Sequence, residues 1–211
     1  KIAILGSTGS IGTSTLEVIK KDKKNFDVVF LSANNNYKKL IQQAKQFNAK
    51  NILINNKLLY KKVKNSLKKT RTKIYSGDTP ITKIVSRKLD YTMSAIVGLA
   101  GLQPTVDAIK VSKIVALANK ETIICGWHIL SKLKKKYKTE IIPVDSEHFS
   151  IMELTKNINN DEVEEIIITA SGGPFLNTLK KKLNYIKPNQ AINHPNWSMG
   201  KKISVDSANM M

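Results

Sequence analysis

The sequence predicts an α/β fold in which a parallel sheet is covered by helices on both faces. Short apolar runs rich in β-branched residues alternate with longer amphipathic runs. The short runs at residues 2–5 and 114–117 are apolar at every position, so both faces of each strand are expected to be buried. Buried strands that alternate with helices are typical of a parallel sheet between two helical layers.

The predicted elements alternate along the first two thirds of the chain. Strands are predicted at residues 2–5, 28–31, 52–54, 92–97, 114–117, 141–144 and 166–169. Helices are predicted at residues 11–21, 37–47, 57–69, 81–89, 105–111 and 121–137. Near residue 138 the alternation gives way to stretches rich in Gly, Pro, Asn and Ser, which predicts domains at 1–137 and 138–211. The stretch 206–211 resembles a helix start that is cut at Met211.

Composition and charge exclude some classes of partner. The net charge is +19, but only two of the 35 basic residues are arginine. Proteins that recognise bases or bind phosphates through paired hydrogen bonds usually use arginine. A solvated lysine-rich surface is therefore favoured over a nucleic-acid interface. The apolar runs are too short to cross a membrane. The single cysteine, Cys125, permits no internal disulfide and fits a reducing cytoplasm.

The first candidate site follows the first predicted strand and reads Gly6-Ser7-Thr8-Gly9-Ser10-Ile11-Gly12. Glycine at every third position lets the backbone turn tightly and approach a pyrophosphate, which would rest on the N–H groups of a helix N-terminus. The segment predicts a Rossmann-like dinucleotide site, with a plain tight turn as the alternative. The second predicted strand leads into Asn34-Asn35-Asn36, without the carboxylate that usually binds the ribose of NAD, which favours NADP.

Two more candidate segments follow predicted strands, where open α/β sheets bind ligands. Asn119-Lys120-Glu121 follows residues 114–117, and taken alone it is better explained as a helix cap. Asp145-Ser146-Glu147-His148 follows residues 141–144. Its two carboxylates can converge on a hard cation such as Mg²⁺, and a helix start is an equally good interpretation.

The remaining candidates suit an anionic ligand or a closing loop. Ser171-Gly172-Gly173-Pro174-Phe175 has the composition of an anion nest, and 204–207 offers hydroxyls at a predicted helix start. The stretch His194-Pro195-Asn196-Trp197-Ser198-Met199-Gly200 has no core periodicity. It fits either a lid over a ligand or a buried tryptophan loop.

Together these segments resemble the 1-deoxy-D-xylulose 5-phosphate reductoisomerase family in order and spacing. The resemblance rests on residues 5–12, 117–121, 143–148, 171–175, 194–200 and 203–207, and it runs from Ile4 to Met211. It implies an NADPH-dependent oxidoreductase that rearranges 1-deoxy-D-xylulose 5-phosphate and reduces the product to 2-C-methyl-D-erythritol 4-phosphate, for isoprenoid precursor synthesis. It also implies a divalent metal, Mg²⁺ or Mn²⁺, an α/β catalytic domain after the NADPH-binding domain, and a homodimer of the full-length enzyme.

The resemblance assigns roles to individual residues. It implies cofactor contacts at Thr8, Gly9, Ser10, Ile11, Asn36, Asn119, Glu121 and Gly200. It implies substrate contacts at Lys120, Ser146, Glu147, Ser171, His194 and Ser207, of which Lys120, Glu147 and His194 would be catalytic. Asp145 and Glu147 would be two of the metal ligands, and the segment around His194 and Trp197 would be a flap that excludes water during hydride transfer.

The chain departs from the family pattern in two places. Asn34-Asn35 stands where the family often has a glycine and a basic residue, with Lys38 and Lys39 just beyond. The family also continues past the methionine pair with Asn-Lys-Gly-Leu-Glu, which supplies two phosphate contacts and a third metal carboxylate, and then with a C-terminal helical domain. We therefore expect residues 1–211 alone to bind NADPH without catalysing the reaction.

Two other functional classes are open at this point. A semialdehyde-type dehydrogenase also combines a glycine-rich turn with NADP, but it needs a thiolate nucleophile. The one candidate, Cys125, lies within a predicted helix, where a buried structural thiol is favoured. A basic nucleic-acid-binding module would instead show strongly salt-dependent binding.

Overall fold

Seven strands form one parallel sheet in the computed structural model, which describes residues 1–86, 88–196 and 200–209, without the side chains of Ile203, Ser207 and Asn209. The strands are β1 Ile2–Leu5, β2 Val28–Ala33, β3 Asn51–Ile54, β4 Lys73–Ser76, β5 Leu89–Ser94, β6 Ser112–Leu117 and β7 Glu140–Pro143. Their order is β4-β3-β2-β1-β5-β6-β7, and every neighbouring pair is parallel. The predicted parallel α/β class is confirmed.

The strands are joined mainly by helices. The α-helices are α1 Ser10–Lys21, α2 Tyr37–Gln46, α3 Tyr60–Ser66, α4 Ile81–Ile84, α5 Leu102–Val111, α6 Lys120–Tyr137, α7 Ser146–Thr155, α8 Pro188–Ala191 and α9 Lys201–Asn209. Short 3₁₀ turns lie at Lys23–Asn25, Lys57–Leu59, Leu99–Gly101, Asn160–Glu162, Gly173–Phe175 and Lys180–Tyr185. No helix in the described ranges is long and apolar enough to cross a membrane.

Alternate residues of β1 belong to two separate apolar cores. Ile4 belongs to a buried cluster that contains Leu16 of α1 and Leu40 of α2. Leu5 belongs to a second cluster, which contains Leu130 of α6. A fully buried leucine or isoleucine contributes about 1.5–3 kcal/mol, so both helical layers hold the central strand in place. The uniformly apolar strand sequence is explained by this burial on both faces.

The strand order reverses beside β1. From β1 the chain builds outward through β2, β3 and β4, and it then returns to β5 on the other side of β1. In open parallel sheets a ligand binds beyond the carboxyl ends of the strands at such a reversal. Gly6 directly follows β1 and Ala95 directly follows β5, so the glycine-rich turn lies at this position.

Several predicted elements are corrected. The strand predicted at 92–97 is β5, Leu89–Ser94, because the chain leaves the sheet towards Gly98, whose φ is +73°. The helix predicted at 81–89 ends at Ile84, because Val85 is extended and β5 begins at Leu89. β4 was not predicted, since its side chains are half-buried or exposed and it lies at the edge of the sheet.

Residues 166–169 were predicted as a strand, and this prediction is wrong. Ile166, Ile167 and Ile168 are 54%, 74% and 50% exposed, and their backbone is irregular. Their β-branched side chains favour extended structure, but a strand also needs a hydrogen-bonded neighbour. Within the described ranges, no strand pairs with this segment.

The chain divides into two compact units, Lys1–Ser150 and Ile151–Met211. β7 belongs to the sheet of the first unit, beside β6. The boundary predicted between residues 137 and 138 concerns functional domains and stays a prediction. In the second unit a helix start predicted at Asp206 is corrected: α9 begins at Lys201, and the Ser204 amide donates to the Gly200 carbonyl at 3.0 Å.

Candidate functional site

The glycine-rich turn connects β1 to α1 in the predicted position. Gly6 has a φ of +78°, and the Gly9 amide donates to the Gly6 carbonyl at 3.1 Å, which closes the turn. Gly9 is the N-cap of α1, and Thr13 donates back to its carbonyl at 3.0 Å. The first amides of a helix have no partner within the helix, so those that follow Gly9 are available to an anion. The predicted strand–turn–helix context of the segment is confirmed.

The three glycines of this turn meet different steric demands. A Cβ at Gly6 would lie 2.8 Å from the Ala95 carbonyl oxygen, and one at Gly12 would lie 2.4 Å from the Gly6 oxygen. The fold therefore requires glycine at both positions. A Cβ at Gly9 would lie 3.4 Å from the nearest atom, which is an ordinary contact, and the φ of Gly9 is −75°. The fold itself would accept a small side chain at Gly9, so the glycine there suits a ligand that approaches the backbone.

Hydrogen bonds connect the glycine-rich turn to β2 and α2. The Ser7 amide donates to the Ser32 carbonyl at 2.8 Å, and the Gly6 amide donates to Ser32 Oγ at 3.1 Å. Ser7 Oγ donates to Gln43 Oε1 at 2.8 Å, and Gln43 Nε2 donates to the Ser7 carbonyl at 2.9 Å. Sequence reasoning missed Ser32 and Gln43, because these contacts join residues 25 and 36 positions from Ser7.

The loop after β2 presents exposed amide side chains. Asn36 caps α2, and its side chain accepts from the Lys39 amide at 3.2 Å. Asn56 Nδ2 donates to Asn35 Oδ1 at 2.9 Å, which ties this loop to the loop after β3. Residues 34–36 are exposed and contain no carboxylate. Because residues 34–36 are uncharged and Lys38 just beyond them is also exposed, this loop carries no negative charge.

Asn119 is a buried helix cap, as its local sequence predicts. Its Oδ1 accepts from the Thr122 amide at 3.0 Å, and its Nδ2 donates to the carbonyls of Ile96 and Gly98, the latter at 2.7 Å. The side chain therefore connects the loop after β5 to the start of α6. Lys120 and Glu121 are half-buried in the first turn of α6, beyond the carboxyl end of β6. This position fits the predicted ligand crevice.

The two candidate metal carboxylates lie where β7 passes into α7. The α-helix starts directly after Asp145, whose Oδ1 accepts from the His148 amide at 3.0 Å and contacts His148 Nδ1 at 2.5 Å. Ser146 Oγ donates to Glu147 Oε2 at 2.9 Å. The helix-start interpretation of this segment is therefore confirmed, and the same geometry leaves both carboxylates half-buried at a strand end.

Asp145 and Glu147 fit a hard divalent cation in type and position. Mg²⁺ is typically held by one or two carboxylates, with water or substrate oxygens at its other positions. Among the described residues there is no group of three His, Cys, Asp or Glu side chains placed to hold a metal. The pair could therefore supply part of a coordination shell and would need further oxygen ligands.

The second unit brings two predicted substrate contacts together. Ser171 Oγ lies 2.8 Å from His194 Nε2, and the Asn196 amide donates to His194 Nδ1 at 3.1 Å. Because Nδ1 accepts this hydrogen bond, Nε2 is the ring nitrogen that can donate to Ser171 Oγ. Gly172 and Gly173 follow with φ of +73° and +58°. These positive φ angles explain the two glycines, while the predicted anion nest stays a prediction.

Some predicted site positions lie outside the described part. They are Trp197, Ser198 and Met199 of the predicted flap and the side chain of Ser207. Gly200 is described and directly precedes α9.

Cys125 is exposed on α6, which corrects the predicted burial of this thiol. The helix turns Thr122, Gly126 and Leu130 towards the core, and Cys125 therefore faces outward.

Two family models match the chain. The model described as 1-deoxy-D-xylulose 5-phosphate reductoisomerase matches residues 2–126, and the model for the C-terminal domain of the same enzyme matches residues 141–211. A relative from Pelagibacter ubique, named 1-deoxy-D-xylulose 5-phosphate reductoisomerase, is 52% identical over the whole chain. The chain spans 55% of that relative, or about half the length of the curated relatives it matches.

Solved structures of the same enzyme share this fold. The reductoisomerase from Zymomonas mobilis, solved in complex with NADPH, matches 99% of the chain with a TM-score of 0.85 and 39% identity. A reductoisomerase in complex with NADPH, fosmidomycin and magnesium matches 99% of the chain with a TM-score of 0.89 and 34% identity. In both cases the match spans 54% of the solved chain.

Proposed function

Since the chain belongs to the 1-deoxy-D-xylulose 5-phosphate reductoisomerase family, we propose that it forms the cofactor-binding and metal-binding part of that enzyme. The whole enzyme would convert 1-deoxy-D-xylulose 5-phosphate to 2-C-methyl-D-erythritol 4-phosphate with NADPH. The proposal rests above all on the glycine-rich turn at the reversal of strand order, where Gly9 leaves room for a ligand.

The first unit would bind NADPH along the carboxyl ends of β1, β2 and β6. The backbone amides of Thr8, Ser10 and Ile11 would donate to the pyrophosphate, which would lie against Gly9, whose own amide closes the turn. Asn36 would lie at the ribose end, in a loop that is free of carboxylates and next to Lys38. Asn119 and Glu121 would contact the cofactor from the start of α6. The solved relatives that hold NADPH support this assignment.

Asp145 and Glu147 would bind a divalent cation, Mg²⁺ or Mn²⁺. A cation at this place would polarise the substrate oxygens as a Lewis acid. Ser146 orients Glu147 by donating to its Oε2 at 2.9 Å. His148 orients Asp145 through two contacts to Oδ1, one from its backbone amide and one from its ring Nδ1. The relative solved with magnesium supports a metal of this type. Lys120 would contribute a positive charge to the substrate from the first turn of α6.

The second unit would bind the substrate through polar side chains. Ser171 and Ser207 would anchor its phosphate, and Gly172 and Gly173 would let the backbone approach it. His194 would contact the substrate through Nε2, which lies 2.8 Å from Ser171 Oγ. Gly200 is proposed as a further cofactor contact, as the family resemblance implies. A cytoplasmic location and a homodimer of the longer protein stay predictions.

Residues 1–211 by themselves should bind NADPH but should not turn over 1-deoxy-D-xylulose 5-phosphate. Every proposed cofactor contact lies within residues 8–200, whereas the chain spans about half of its relatives and holds two of the proposed metal carboxylates. The loss of one charged hydrogen-bonding partner costs about 1.5–3 kcal/mol. Because about 1.4 kcal/mol changes a rate tenfold, each such loss should slow turnover about tenfold or more. NADPH fluorescence would report binding, and NADPH oxidation at saturating substrate and Mg²⁺ would report turnover. Turnover comparable to that of a complete relative would mean that the metal site is misplaced.

A further inference from the structure

Gln43 is a buried side chain that connects the glycine-rich turn to α2. It is 5% exposed, and Ser7 is fully buried. Gln43 Nε2 donates to the Ser7 carbonyl at 2.9 Å, and Gln43 Oε1 accepts from Ser7 Oγ at 2.8 Å. Both ends of the amide therefore bind the same residue of the turn, in a closed and complementary pair.

The carbonyl that Gln43 holds belongs to the peptide unit that carries the Thr8 N–H. A trans peptide is planar, and its C=O and N–H point in opposite directions. Because the Ser7 carbonyl points at the buried amide of Gln43, the Thr8 N–H must point the opposite way. The direction of this amide is thus fixed by a side chain of α2, at the first of the positions proposed to bind the pyrophosphate.

Gln43 lies between two buried residues of α2, which hold this part of the helix in the core. Leu40 and Ala44 flank Gln43 on the same helix and are 0% and 1% exposed, in the core shared with β1. Ser32 of β2 binds the amides of Gly6 and Ser7, whereas within the described part of the chain Gln43 alone binds the Ser7 carbonyl. Without Gln43, rotation of the peptide between Ser7 and Thr8 would no longer be opposed by a side chain.

We propose that Gln43 is a positioning residue for cofactor binding, which acts through the Ser7 carbonyl to aim the Thr8 amide at the pyrophosphate. This inference rests on the proposed NADPH-binding function. It predicts that loss of the Gln43 amide weakens NADPH binding in a protein that is still folded. A purely structural role would lower the melting temperature and leave the affinity of the folded protein unchanged.

Asn51 provides a matched control. It is 9% exposed, its Nδ2 donates to the Val29 carbonyl at 3.1 Å, and it begins β3 at the end of the sheet away from the glycine-rich turn. Gln43→Leu and Asn51→Leu each replace a buried amide by an apolar side chain. Both variants should have a lower melting temperature. Only Gln43→Leu should weaken NADPH binding, by about tenfold or more.

The test measures NADPH affinity by fluorescence, well below the melting temperature, for the wild-type chain, both variants, Ser7→Ala and the Ser7→Ala/Gln43→Leu double variant. Ser7→Ala keeps the hydrogen bond from Gln43 Nε2 to the backbone carbonyl of residue 7. It should therefore weaken NADPH binding less than Gln43→Leu does. The double variant should bind no more weakly than Gln43→Leu alone, because the two residues act through one contact. If Gln43→Leu does not fold, Gln43→Met replaces it, since that variant keeps the unbranched length of the side chain but loses both the donor and the acceptor.

Unchanged NADPH affinity in Gln43→Leu or Gln43→Met would overturn the inference, as would equal weakening in Asn51→Leu. If the wild-type chain does not bind NADPH, the proposed function fails and the inference falls with it. If the wild type binds and the Gln43 variants bind equally well, only the inference fails.

Discussion

Gly9→Val should abolish NADPH binding and leave the fold intact. The backbone at Gly9 has a φ that any residue can adopt, and a Cβ there would lie 3.4 Å from its nearest neighbour. A branched side chain would instead occupy the space through which a pyrophosphate reaches the helix N-terminus. Loss of two charge-assisted hydrogen bonds at about 1.5–3 kcal/mol each would weaken binding by about 100-fold or more. Titration of NADPH fluorescence against both proteins measures this loss.

Gly12→Ala is the contrasting variant in the same turn. Its Cβ would lie 2.4 Å from the Gly6 oxygen and 2.6 Å from Ser7 Cα, both of which are backbone atoms. Overpacking of this kind costs about 1–3 kcal/mol, so Gly12→Ala should lower the melting temperature. Gly9→Val should melt close to the wild type. Equal NADPH affinities of the Gly9→Val and wild-type chains would remove the pyrophosphate from this turn.

Asp145→Asn should weaken binding of the divalent metal by about 10- to 100-fold and reduce turnover accordingly. The affinity for NADPH should stay nearly unchanged. The substitution removes one charge from the proposed ligand pair. It should not disturb α7, because asparagine caps a helix as well as aspartate does and can still accept from the His148 amide. The measurement is turnover over a wide range of Mg²⁺ or Mn²⁺ concentration, in a protein that joins residues 1–211 to the remaining C-terminal part of the Pelagibacter ubique relative.

Glu153→Gln is the control for this charge change. Glu153 lies on the same helix, is exposed, and is 3.6 Å from Lys156 Nζ. An exposed ion pair of this kind contributes little, so its loss should alter neither stability nor metal dependence. An identical metal requirement in Asp145→Asn and the unsubstituted joined protein would mean that Asp145 serves as a helix cap alone.

The sequence was most informative where a function depends on neighbouring residues. The turn from Gly6 to Gly12, the cap at Asn119 and the helix start after Asp145 all depend on residues within a few positions of one another. Such local patterns specify backbone geometry directly, and the structure bears them out. The carboxylate pair after β7 was predicted for the same reason, although its metal-binding role is a proposal.

Contacts between distant residues were not predictable. Gln43 has the appearance of an ordinary polar residue of an amphipathic helix until the fold places it against Ser7. The prediction of a strand at 166–169 failed for a related reason, because β-branched residues favour extended structure while pairing depends on a partner elsewhere. β4 was missed because an edge strand with half-buried or exposed side chains lacks a periodic apolar pattern.

The joined protein also provides the most direct test of the proposed function. Residues 1–211, completed by the C-terminal part of the Pelagibacter ubique relative, should oxidise NADPH when 1-deoxy-D-xylulose 5-phosphate and Mg²⁺ are both present, and should form 2-C-methyl-D-erythritol 4-phosphate. The complete relative, assayed beside it, sets the expected rate. Absence of NADPH oxidation in a joined protein that is folded, while the relative is active, would contradict the assignment of this chain to the reductoisomerase reaction.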